Sequence, residues 1–374
     1  MSHRVHGMGL TPARPDWTPL VGDELVDPLA QLGITGGPVR VLWHSPRPMS
    51  AAARVLVGEE HLFVKRHATR VRSPARLEVE HRFGDHLRAH GVSTPACRRG
   101  PHGRSVAFGG PYCYEVFEVA PGEDLYRDVP SWYPYQSVEH ARRAGAALAR
   151  FHQAAASYAE RASAPDVLLD DVDLVGAPNF TDAVAARLVA RPGLARALAP
   201  YPFERDVAAV LAEPVAAARA VTGSLVRQWT HGDWHPSNLT WDPATSEVVS
   251  VLDLGLANRT FALHDLAVAL ERSVIDWLDV SGRGGVQVDL ASLDALLAGY
   301  DEIVALSAGD RAALAATLPV AHVEFALSEV EYFGDVLGDA SNRDLAYHGY
   351  LVGHVGFFTT PVGIDLLKRV RESG

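Results

Sequence analysis

Two short stretches of the sequence carry residue types that fit phosphoryl transfer. The first is residues 231–238, HGDWHPSN, and the second is residues 253–255, DLG. A carboxylate such as that of Asp233 can orient an attacking hydroxyl group and accept its proton. The amide oxygen of Asn238 and the carboxylate of Asp253 are hard oxygen donors, which magnesium prefers. The order and spacing of these residues therefore indicate phosphoryl transfer from a magnesium–nucleotide complex.

The first stretch also has two other interpretations. His231, Asp233 and Asn238 could simply cap a turn through side-chain hydrogen bonds, as such residues often do when taken singly. Alternatively, His231, Asp233 and His235 could bind a metal ion for hydrolysis, because alternate positions of a strand face the same side. Pro236 interrupts such a strand, and the sequence has no second obvious cluster with ligand spacing. We therefore favour phosphoryl transfer.

The composition is typical of a globular protein. The chain has 374 residues, of which 48% are hydrophobic and 21% are charged, and its mean hydropathy is +0.01. This length is sufficient for two lobes with separate cores. No apolar run approaches the length of a membrane span, and residues 1–17 lack the apolar centre of a signal peptide. We therefore expect a cytoplasmic protein without a membrane partner.

The net charge of −11 is unevenly distributed along the chain. Residues 1–119 contain 15 lysines and arginines against 11 acidic residues, whereas residues 120–374 contain 19 against 34. A mildly basic first part suits a nucleotide triphosphate, and a strongly acidic second part suits a neutral or cationic partner. The charge distribution therefore predicts a small-molecule partner and no nucleic acid.

Periodicity predicts a small α+β part followed by a larger helical part. Residues 1–37 are rich in proline and glycine, which favours a tail and cover segment. Strands and one helix are predicted up to residue 119, and a Pro-Gly break follows at residues 121–122. The predicted strands are 39–45, 53–67 (two strands with a turn at 58–60), 105–108, 112–119, 238–241 and 247–252. The predicted helices are 74–90, 140–158, 204–222, 264–279, 290–304, 310–337 and 344–370.

Several of these motifs resemble the aminoglycoside phosphotransferase and choline kinase-like family. The family's catalytic-loop pattern, His-Gly-Asp-x-His-x-x-Asn, matches residues 231–238 at every specified position. Its Asp-Phe-Gly pattern is met by residues 253–255, with leucine in the middle. Two flanking patterns match residues 148–152, LARFH, and residues 265–267, DLA. The resemblance implies a bilobal protein-kinase-like α+β fold, with a β-rich N-lobe (1–119), a mainly helical C-lobe (120–374) and a magnesium–ATP site in the cleft.

The resemblance also implies two groups of nucleotide-binding residues in the N-lobe. Lys65 matches the strand lysine that contacts the nucleotide phosphates. Its expected partner is Glu80 on the following helix, with Glu78 as the alternative. Phe117, Glu118 and Val119 resemble the hinge, whose backbone groups bind adenine in this family.

One turn departs from the kinase pattern. Kinases often cover the phosphates with a glycine-rich loop, whose amide groups donate hydrogen bonds to anions. The corresponding turn here is expected at residues 45–50, SPRPMS, which contains no glycine and two prolines without amide hydrogens. Arg47 or the serine hydroxyl groups would then contact the phosphates instead.

The expected acceptor is a small molecule. Only about ten residues separate Gly255 from Asp265, whereas protein kinases place a long activation segment there. A helix near the C-terminus is predicted to carry an acidic stripe, which is either a solvated face or the lining of an acceptor site for a cation. With His235, the candidate substrate residues are therefore Glu324, Ser328 and Glu331.

Together these observations predict a kinase that uses ATP and Mg²⁺. It would transfer the γ-phosphoryl group to a hydroxyl of a small polar molecule, such as an aminoglycoside, a nucleoside antibiotic, a sugar or an amino alcohol. Antibiotic resistance is one role consistent with that range. Two other classes stay open: a protein Ser/Thr kinase of the stress-response type, and a nucleotide-binding protein without catalysis.

Overall fold

The computed structural model of the chain describes residues 3–8, 11–163, 166–223, 225–278 and 286–373. The chain forms two compact units. The first comprises Met1–Pro130 and Ser237–Gly255, and the second comprises Ser131–Pro236 and Leu256–Gly374. Four residues of the predicted tail (1, 2, 9 and 10) and the last residue of the helix predicted over 264–279 lie outside the described residues.

The first unit is built on a five-stranded antiparallel sheet. Its elements are α1 (Gly22–Gln31), β1 (Val39–His44), β2 (Ala51–Val57), β3 (Glu60–Ala68), α2 (Pro74–Ala89), β4 (Ala107–Gly109), β5 (Tyr112–Glu118), β7 (Leu239–Trp241) and β8 (Val248–Val251). The sheet has the strand order β1-β2-β3-β5-β4, and β7 pairs with β8 in a separate hairpin. The predicted strands of this unit and the helix before residue 90 are therefore confirmed.

The predicted tail contains a helix that belongs to the core of the first unit. Leu25 and Leu29 of α1 are buried in one cluster with Leu62 and Val64 of β3. These two leucines are four residues apart, so both lie on the same side of the helix. This part of the predicted tail and cover segment therefore packs on the sheet as a short amphipathic helix, which the proline- and glycine-rich composition did not predict.

The hairpin of β7 and β8 joins the first unit through backbone hydrogen bonds. Glu123 and Trp241 exchange two such bonds, of 2.8 and 2.9 Å, and the Val251 amide donates to the Ser93 carbonyl at 2.8 Å. Residues that follow the Pro-Gly break at 121–122 therefore contact the hairpin. As a result, the predicted division into residues 1–119 and 120–374 differs from the two units of the structure.

The second unit is mainly helical. Its helices are α3 (Val138–Ala155), α4 (Phe180–Ala190), α5 (Pro192–Leu198), α6 (Phe203–Asp206), α7 (Ala212–Thr222), α8 (Ala262–Val274), α9 (Leu290–Asp301), α10 (Ala308–Thr317), α11 (Val323–Glu331), α12 (Ala340–Asp344), α13 (His354–Phe357) and α14 (Pro361–Glu372). Its short strands are β6 (Gln228–Thr230), β9 (Asn258–Thr260), β10 (Ile275–Asp276) and β11 (Gln287–Val288). They form the pairs β6–β9 and β10–β11.

One helical stretch of the second unit contradicts the expectation that no apolar run reaches the length of a membrane span. Ala308–Leu337 is long and apolar enough to cross a bilayer, and the bent pair Ala340–Phe357 and Pro361–Glu372 passes the same test when taken together. Of the apolar window in the first stretch, 89% is buried inside the protein. A helix that is apolar on most sides can be a core helix, and this burial favours that interpretation.

The burial of α1 leads to a prediction about stability. Replacing Leu25, which is fully buried, with alanine should lower the free energy of unfolding by about 2–4 kcal/mol, because a cavity remains in the core. The neighbouring Val26 is 51% exposed, and its replacement with alanine should change the free energy by less than about 0.5 kcal/mol. Urea unfolding of both variants measures the difference. Equal effects would show that α1 does not belong to the core.

Candidate active site

A cavity of about 810 Å³ lies in the first unit. This volume is within the usual range for sites that bind small molecules. Its walls come from the sheet, from α2 and from the hairpin. All the residues predicted to bind nucleotide or metal line it: Lys65, Glu80, Phe117, Glu118, Val119, Asn238 and Asp253.

Lys65 and Asp253 form an ion pair at the border of this cavity. The Lys65 Nζ atom lies 2.7 Å from the Asp253 Oδ1 atom. The side chain of Lys65 is 12% exposed and that of Asp253 is 42% exposed, so the pair is open to the cavity on the aspartate side. The predicted phosphate-binding lysine and the predicted metal ligand are thus in direct contact.

The hairpin register brings Asn238 close to Asp253 along the backbone. Leu239 pairs with Val251, and one step further the Leu252 amide donates to the Asn238 carbonyl at 2.8 Å. Asp253 follows with φ of +53°, in the left-handed region that aspartate tolerates better than most residues. The two predicted metal ligands therefore stand at the same end of the hairpin.

The predicted ion pair between Lys65 and Glu80 is wrong. Glu80 Oε1 accepts a hydrogen bond from Arg76 Nε at 3.0 Å, and Glu80 Oε2 lies 3.5 Å from Arg72 Nη1. Arg76 precedes Glu80 by four residues, so the two side chains meet on one face of α2. Burial raises the pKa of the Glu80 carboxyl group, against the opposing effect of the two arginines. Both carboxylate oxygens are thus occupied, and Lys65 pairs with Asp253 instead.

The same two arginines hold the turn that follows Asp253. The Gly255 carbonyl accepts a hydrogen bond from Arg76 Nη2 at 2.8 Å and a second one from Arg72 Nη2. A Cβ atom at position 255 would overlap the Arg72 guanidinium group, so a larger residue there would displace that side chain from the turn. Glu80 therefore supports the turn at Gly255, which follows the predicted metal ligand Asp253, through Arg72 and Arg76.

The predicted hinge lies at the end of β5. The Glu118 amide donates to the Ala96 carbonyl at 3.0 Å, which attaches residues 96–98 to the edge of the sheet. Val119 follows the strand, and its amide donates no hydrogen bond to any residue that the structure describes. The Val119 amide is therefore the hinge donor that remains available at the border of the cavity.

Residues 45–50 connect β1 to β2, as predicted, and they line the cavity. Arg47 Nη1 donates to the Val129 carbonyl at 2.9 Å and lies 3.0 Å from His6 Nδ1. The His6 amide donates to the Pro46 carbonyl at 2.8 Å. Arg47 thus fastens two other segments to the turn, and a contact between Arg47 and phosphate stays a prediction.

In the second unit, Asp265 anchors the loop that carries Asp233. Asp265 is fully buried in the first turn of α8, and its carboxylate accepts hydrogen bonds from the amides of His231 and Gly232, both at 2.8 Å. His152 Nε2 lies 3.0 Å from Asp265 Oδ2. Burial alone would raise the pKa of the Asp265 carboxyl group, but the contacts with His152 and His231 hold it below its ordinary value. The two flanking sequence patterns therefore meet in one network.

The conformation of this loop explains two further positions of the pattern. Gly232 has φ of +75°, and a side chain there would overlap the Leu256 carbonyl, so only glycine fits. Trp234 is fully buried, with its ring 5.8 Å from that of Phe151. The backbone is thus fixed on both sides of Asp233.

Asp233 pairs with an arginine that lies outside the sequence motifs. Arg272 Nη1 lies 2.9 Å from Asp233 Oδ1, and His235 Nε2 lies 3.6 Å from the same oxygen. Burial alone would raise the pKa of Asp233, but Arg272 and then His235 hold it well below its ordinary value. Asp233 is therefore ionised, and His235, which is 2% exposed, lies beside it. A contact between His235 and substrate stays a prediction.

The acidic stripe of α11 is buried, and the prediction that Glu324 binds substrate is wrong. Glu324 is 3% exposed, and its Oε1 atom accepts hydrogen bonds from the amides of Leu174 and Val175 at 2.8 and 3.0 Å. Arg187 Nη1 lies 3.6 Å from its Oε2 atom. The carboxylate therefore serves the packing of the segment before α4.

Ser328 and Glu331 are likewise occupied within the protein, so their predicted contacts with substrate are wrong. Ser328 is fully buried, and its hydroxyl group donates to the Phe325 carbonyl at 2.7 Å. Glu331 is 6% exposed and forms an ion pair with Arg191. The partners of the glutamates lie over a hundred residues away in the sequence, and the partner of Ser328 is a carbonyl of its own helix. Neither kind of partner is visible in the sequence pattern, which therefore looks like that of a solvent-facing stripe. The stripe no longer supports a cationic acceptor.

The alternative of a metal-dependent hydrolase also loses support. Among the described residues, one group of three His, Cys, Asp or Glu side chains brings its ligand atoms within 4.8 Å of one another: Asp170, Asp171 and Glu324. Arg187 forms ion pairs with Asp171 and Glu324 of that group, and His264 Nε2 lies 3.2 Å from Asp170 Oδ2. His231, Asp233 and His235 do not form such a group.

Two residue spacings could have revealed the missed arginines. Arg76 precedes Glu80 by four residues on a predicted helix, which is the spacing of an intrahelical ion pair. Arg272 follows Asp265 by seven residues, which is two helical turns, so both face the same direction. The charged groups near the two motifs are therefore recognisable when helix periodicity is applied to them.

Solved structures share this fold. Amicoumacin kinase hAmiN in complex with AMP-PNP, Ca²⁺ and Ami is similar, with a TM-score of 0.55 and 14% identity, over 86% of this chain and 92% of that chain. The microcompartment-associated aminopropanol kinase is similar with a TM-score of 0.53 and 17% identity, over 91% of this chain and 96% of that chain. Spectinomycin phosphotransferase APH(9)-Ia in complex with ADP and spectinomycin is similar with a TM-score of 0.50 and 11% identity, over 96% of this chain and 100% of that chain. The predicted kinase-like fold, with a β-rich and a helical part, is confirmed.

Sequence comparison identifies the family. No curated protein sequence matches the chain. The family model described as the phosphotransferase enzyme family, APH, matches residues 49–306. The matched segment contains Lys65, Asp233, Asn238 and Asp253, and it covers most of the chain. The chain therefore belongs to the phosphotransferase enzyme family, as its motifs predict.

Proposed function

We propose that this protein is an ATP- and magnesium-dependent kinase, which transfers the γ-phosphoryl group to a hydroxyl of a small polar molecule. The contact between Lys65 and Asp253, at the border of an 810 Å³ cavity, carries this proposal. The ammonium group of Lys65 would bind phosphate oxygens, and the carboxylate of Asp253 would bind the metal ion that accompanies them. Membership of the phosphotransferase family supports the same reaction.

The donor set at the end of the hairpin fits magnesium. Asn238 offers a neutral amide oxygen and Asp253 a charged carboxylate, and both line the cavity. Magnesium binds proteins through few side chains and completes its shell with water and phosphate oxygens. When bound, the ion would neutralise negative charge on the phosphates. The similar amicoumacin kinase was solved with AMP-PNP and Ca²⁺, which supports a nucleotide and a divalent ion here.

The remaining nucleotide contacts follow from the walls of the cavity. The Val119 amide would donate a hydrogen bond to adenine, beside Phe117 and Glu118. Lys65 would turn its ammonium group toward the phosphates, since phosphate oxygens compete with Asp253 for it. Glu80 would act indirectly, because its two arginines keep the turn at Gly255 in place.

Asp233 would act on the acceptor. Its ionised carboxylate would accept a hydrogen bond from the acceptor hydroxyl and hold the oxygen in line with the γ-phosphorus. As the new oxygen–phosphorus bond forms, the bond between the γ-phosphorus and the bridging oxygen breaks, and ADP leaves with that electron pair. The hydroxyl proton passes to Asp233. A weak base suffices, because the proton is lost late in a loose transition state.

Antibiotics and amino alcohols are the first acceptors to test. Amicoumacin kinase, aminopropanol kinase and spectinomycin phosphotransferase share the fold. A screen for ADP release should include these two classes, sugars, nucleosides and homoserine, with ³¹P NMR to locate the modified hydroxyl. An antibiotic product would support a role in resistance. Label on protein alone would indicate a protein kinase, and nucleotide binding without ADP release would indicate a binding protein.

The role of Asp233 leads to a prediction about turnover. Replacing Asp233 with asparagine should lower kcat by about 10²-fold or more, because the amide cannot take up the hydroxyl proton. Affinity for ATP should change little, because Asp233 acts on the acceptor. Steady-state ADP release and calorimetric titration with a non-hydrolysable ATP analogue measure the two effects. Asp294→Asn, a change at a partly exposed ion pair with Arg369, is the control. Wild-type turnover in the Asp233 variant would contradict the assignment.

The role of Asp253 leads to a different prediction. Replacing Asp253 with alanine should weaken magnesium-dependent nucleotide binding at least tenfold, because the ion loses its charged protein ligand. Calorimetric titration with and without magnesium separates this loss from a general loss of affinity. Asp85→Ala, which removes a carboxylate of the same unit outside the cavity lining, is the matched control. Unchanged binding in the Asp253 variant would exclude it as a metal ligand.

A further inference from the structure

Helix α8 contacts the catalytic loop twice. Asp265 in its first turn accepts hydrogen bonds from the loop amides of His231 and Gly232. Arg272, two turns later, places Nη1 2.9 Å from Asp233 Oδ1. One rigid helix therefore fixes both the backbone of the loop and the side chain that is proposed to meet the acceptor.

Arg272 is itself held between two aromatic rings. Its guanidinium carbon lies 4.7 Å from the centre of the Trp132 ring and 5.2 Å from that of the Phe325 ring. The residue is 4% exposed, so water contributes little to its solvation. Contacts of a cation with the faces of aromatic rings stabilise it where water is excluded. The position of the guanidinium group is thus determined by residues that do not belong to the catalytic motif.

The surroundings of this pair contain several other titratable groups. His231 and His235 approach Asp233 from its own loop, and Glu329 and His322 approach the pair from the segment around α11. Burial raises the pKa of Glu329 to about 8, against the effect of Arg272, so this side chain is mainly neutral at pH 7. Glu271 and His354 contact each other beside Arg272. Arg272 is the member of this group whose charge does not depend on pH.

We propose that Arg272 is a positioning residue for phosphoryl transfer, which keeps the carboxylate of Asp233 ionised and in a single orientation while the acceptor hydroxyl binds. The inference rests on the proposed role of Asp233. Without Arg272, a carboxylate in this buried site would bind a proton more readily and rotate more freely. A protonated Asp233 could not accept the hydroxyl proton, so transfer would slow as pH falls.

The test compares Arg272→Met and Arg272→Lys with the wild type across pH. The probe is ADP release from magnesium–ATP by the full chain, with water and each member of the acceptor screen as acceptors. Arg272→Met should lower kcat by about 10²-fold and leave KM for ATP within a few-fold. Its kcat should fall further toward acidic pH, whereas that of the wild type stays level. Arg272→Lys keeps the charge and should keep the level profile with an intermediate kcat.

Chemical rescue distinguishes charge from shape. Arg272→Ala opens a site between Trp132 and Phe325. Guanidinium ions at low, non-denaturing concentration should restore part of kcat and abolish the decrease in kcat at acidic pH. Urea is planar and of similar size but neutral, so it should restore neither kcat nor the level pH profile. Equal rescue by urea and guanidinium, or no rescue by either in a folded variant, would overturn the proposal.

Arg187→Met controls for the loss of a buried arginine. The side chain of Arg187 is 10% exposed against 4% for that of Arg272, and the Arg187 Nη2 atom lies 3.0 Å from Asp171 Oδ1. This variant should lose thermal stability without a new fall in kcat at acidic pH. If Arg272→Met shows the wild-type pH profile while Asp233→Asn is inactive, the proposed role of Arg272 is overturned and the proposed function stands. Full activity of Asp233→Asn, or no ADP release by the wild type, would overturn the proposed function as well.

Discussion

The buried carboxylate of Asp265 is the constraint on which the catalytic loop depends. A carboxylate without water is costly unless its oxygens accept hydrogen bonds, and here two amides and His152 supply them. His152 Nδ1 in turn lies 2.9 Å from the Tyr300 hydroxyl group on α9. The loop is therefore tied to three helices through one side chain. Removing that side chain would leave several buried polar groups without partners at once, which makes the network cooperative.

The first unit uses arginine where the kinase pattern led us to expect lysine and glutamate to pair. A planar guanidinium group offers several donors, so Arg76 contacts Glu80 and the Gly255 carbonyl together. Lysine, a point charge at the end of a flexible chain, cannot make that pair of contacts in a fixed geometry. Lys65 is left to pair with Asp253. The turn at Gly255 is thus held by two arginines, and the lysine proposed to contact phosphate is a separate cation.

Much of the fold, and the grouping of Asn238 and Asp253 at one cavity, could be predicted from the sequence, because both depend on local order. The strands of the sheet alternate in polarity, and Asn238 and Asp253 flank one short hairpin. The role of Asp233 stays a prediction. The failures involve partners that are distant along the chain. The acidic stripe of α11 looks solvent-facing in the sequence, but Arg187 of α4 and Arg191, between α4 and α5, pair with its glutamates. Helix α1 was hidden by the proline and glycine around it, and Arg272 lies outside every motif although it faces the same way as Asp265.

The left-handed backbone at Asp253 has a consequence for how this chain could evolve. A residue other than glycine in that region costs about 1 kcal/mol, and glycine would occupy it without strain. Selection for folding alone would therefore tend to replace this aspartate, with loss of its pairing with Lys65 as the counterweight. A lineage that did not need this carboxylate would be free to drift toward glycine or asparagine at this position. Aspartate here carries a backbone cost in exchange for its ion pair with Lys65.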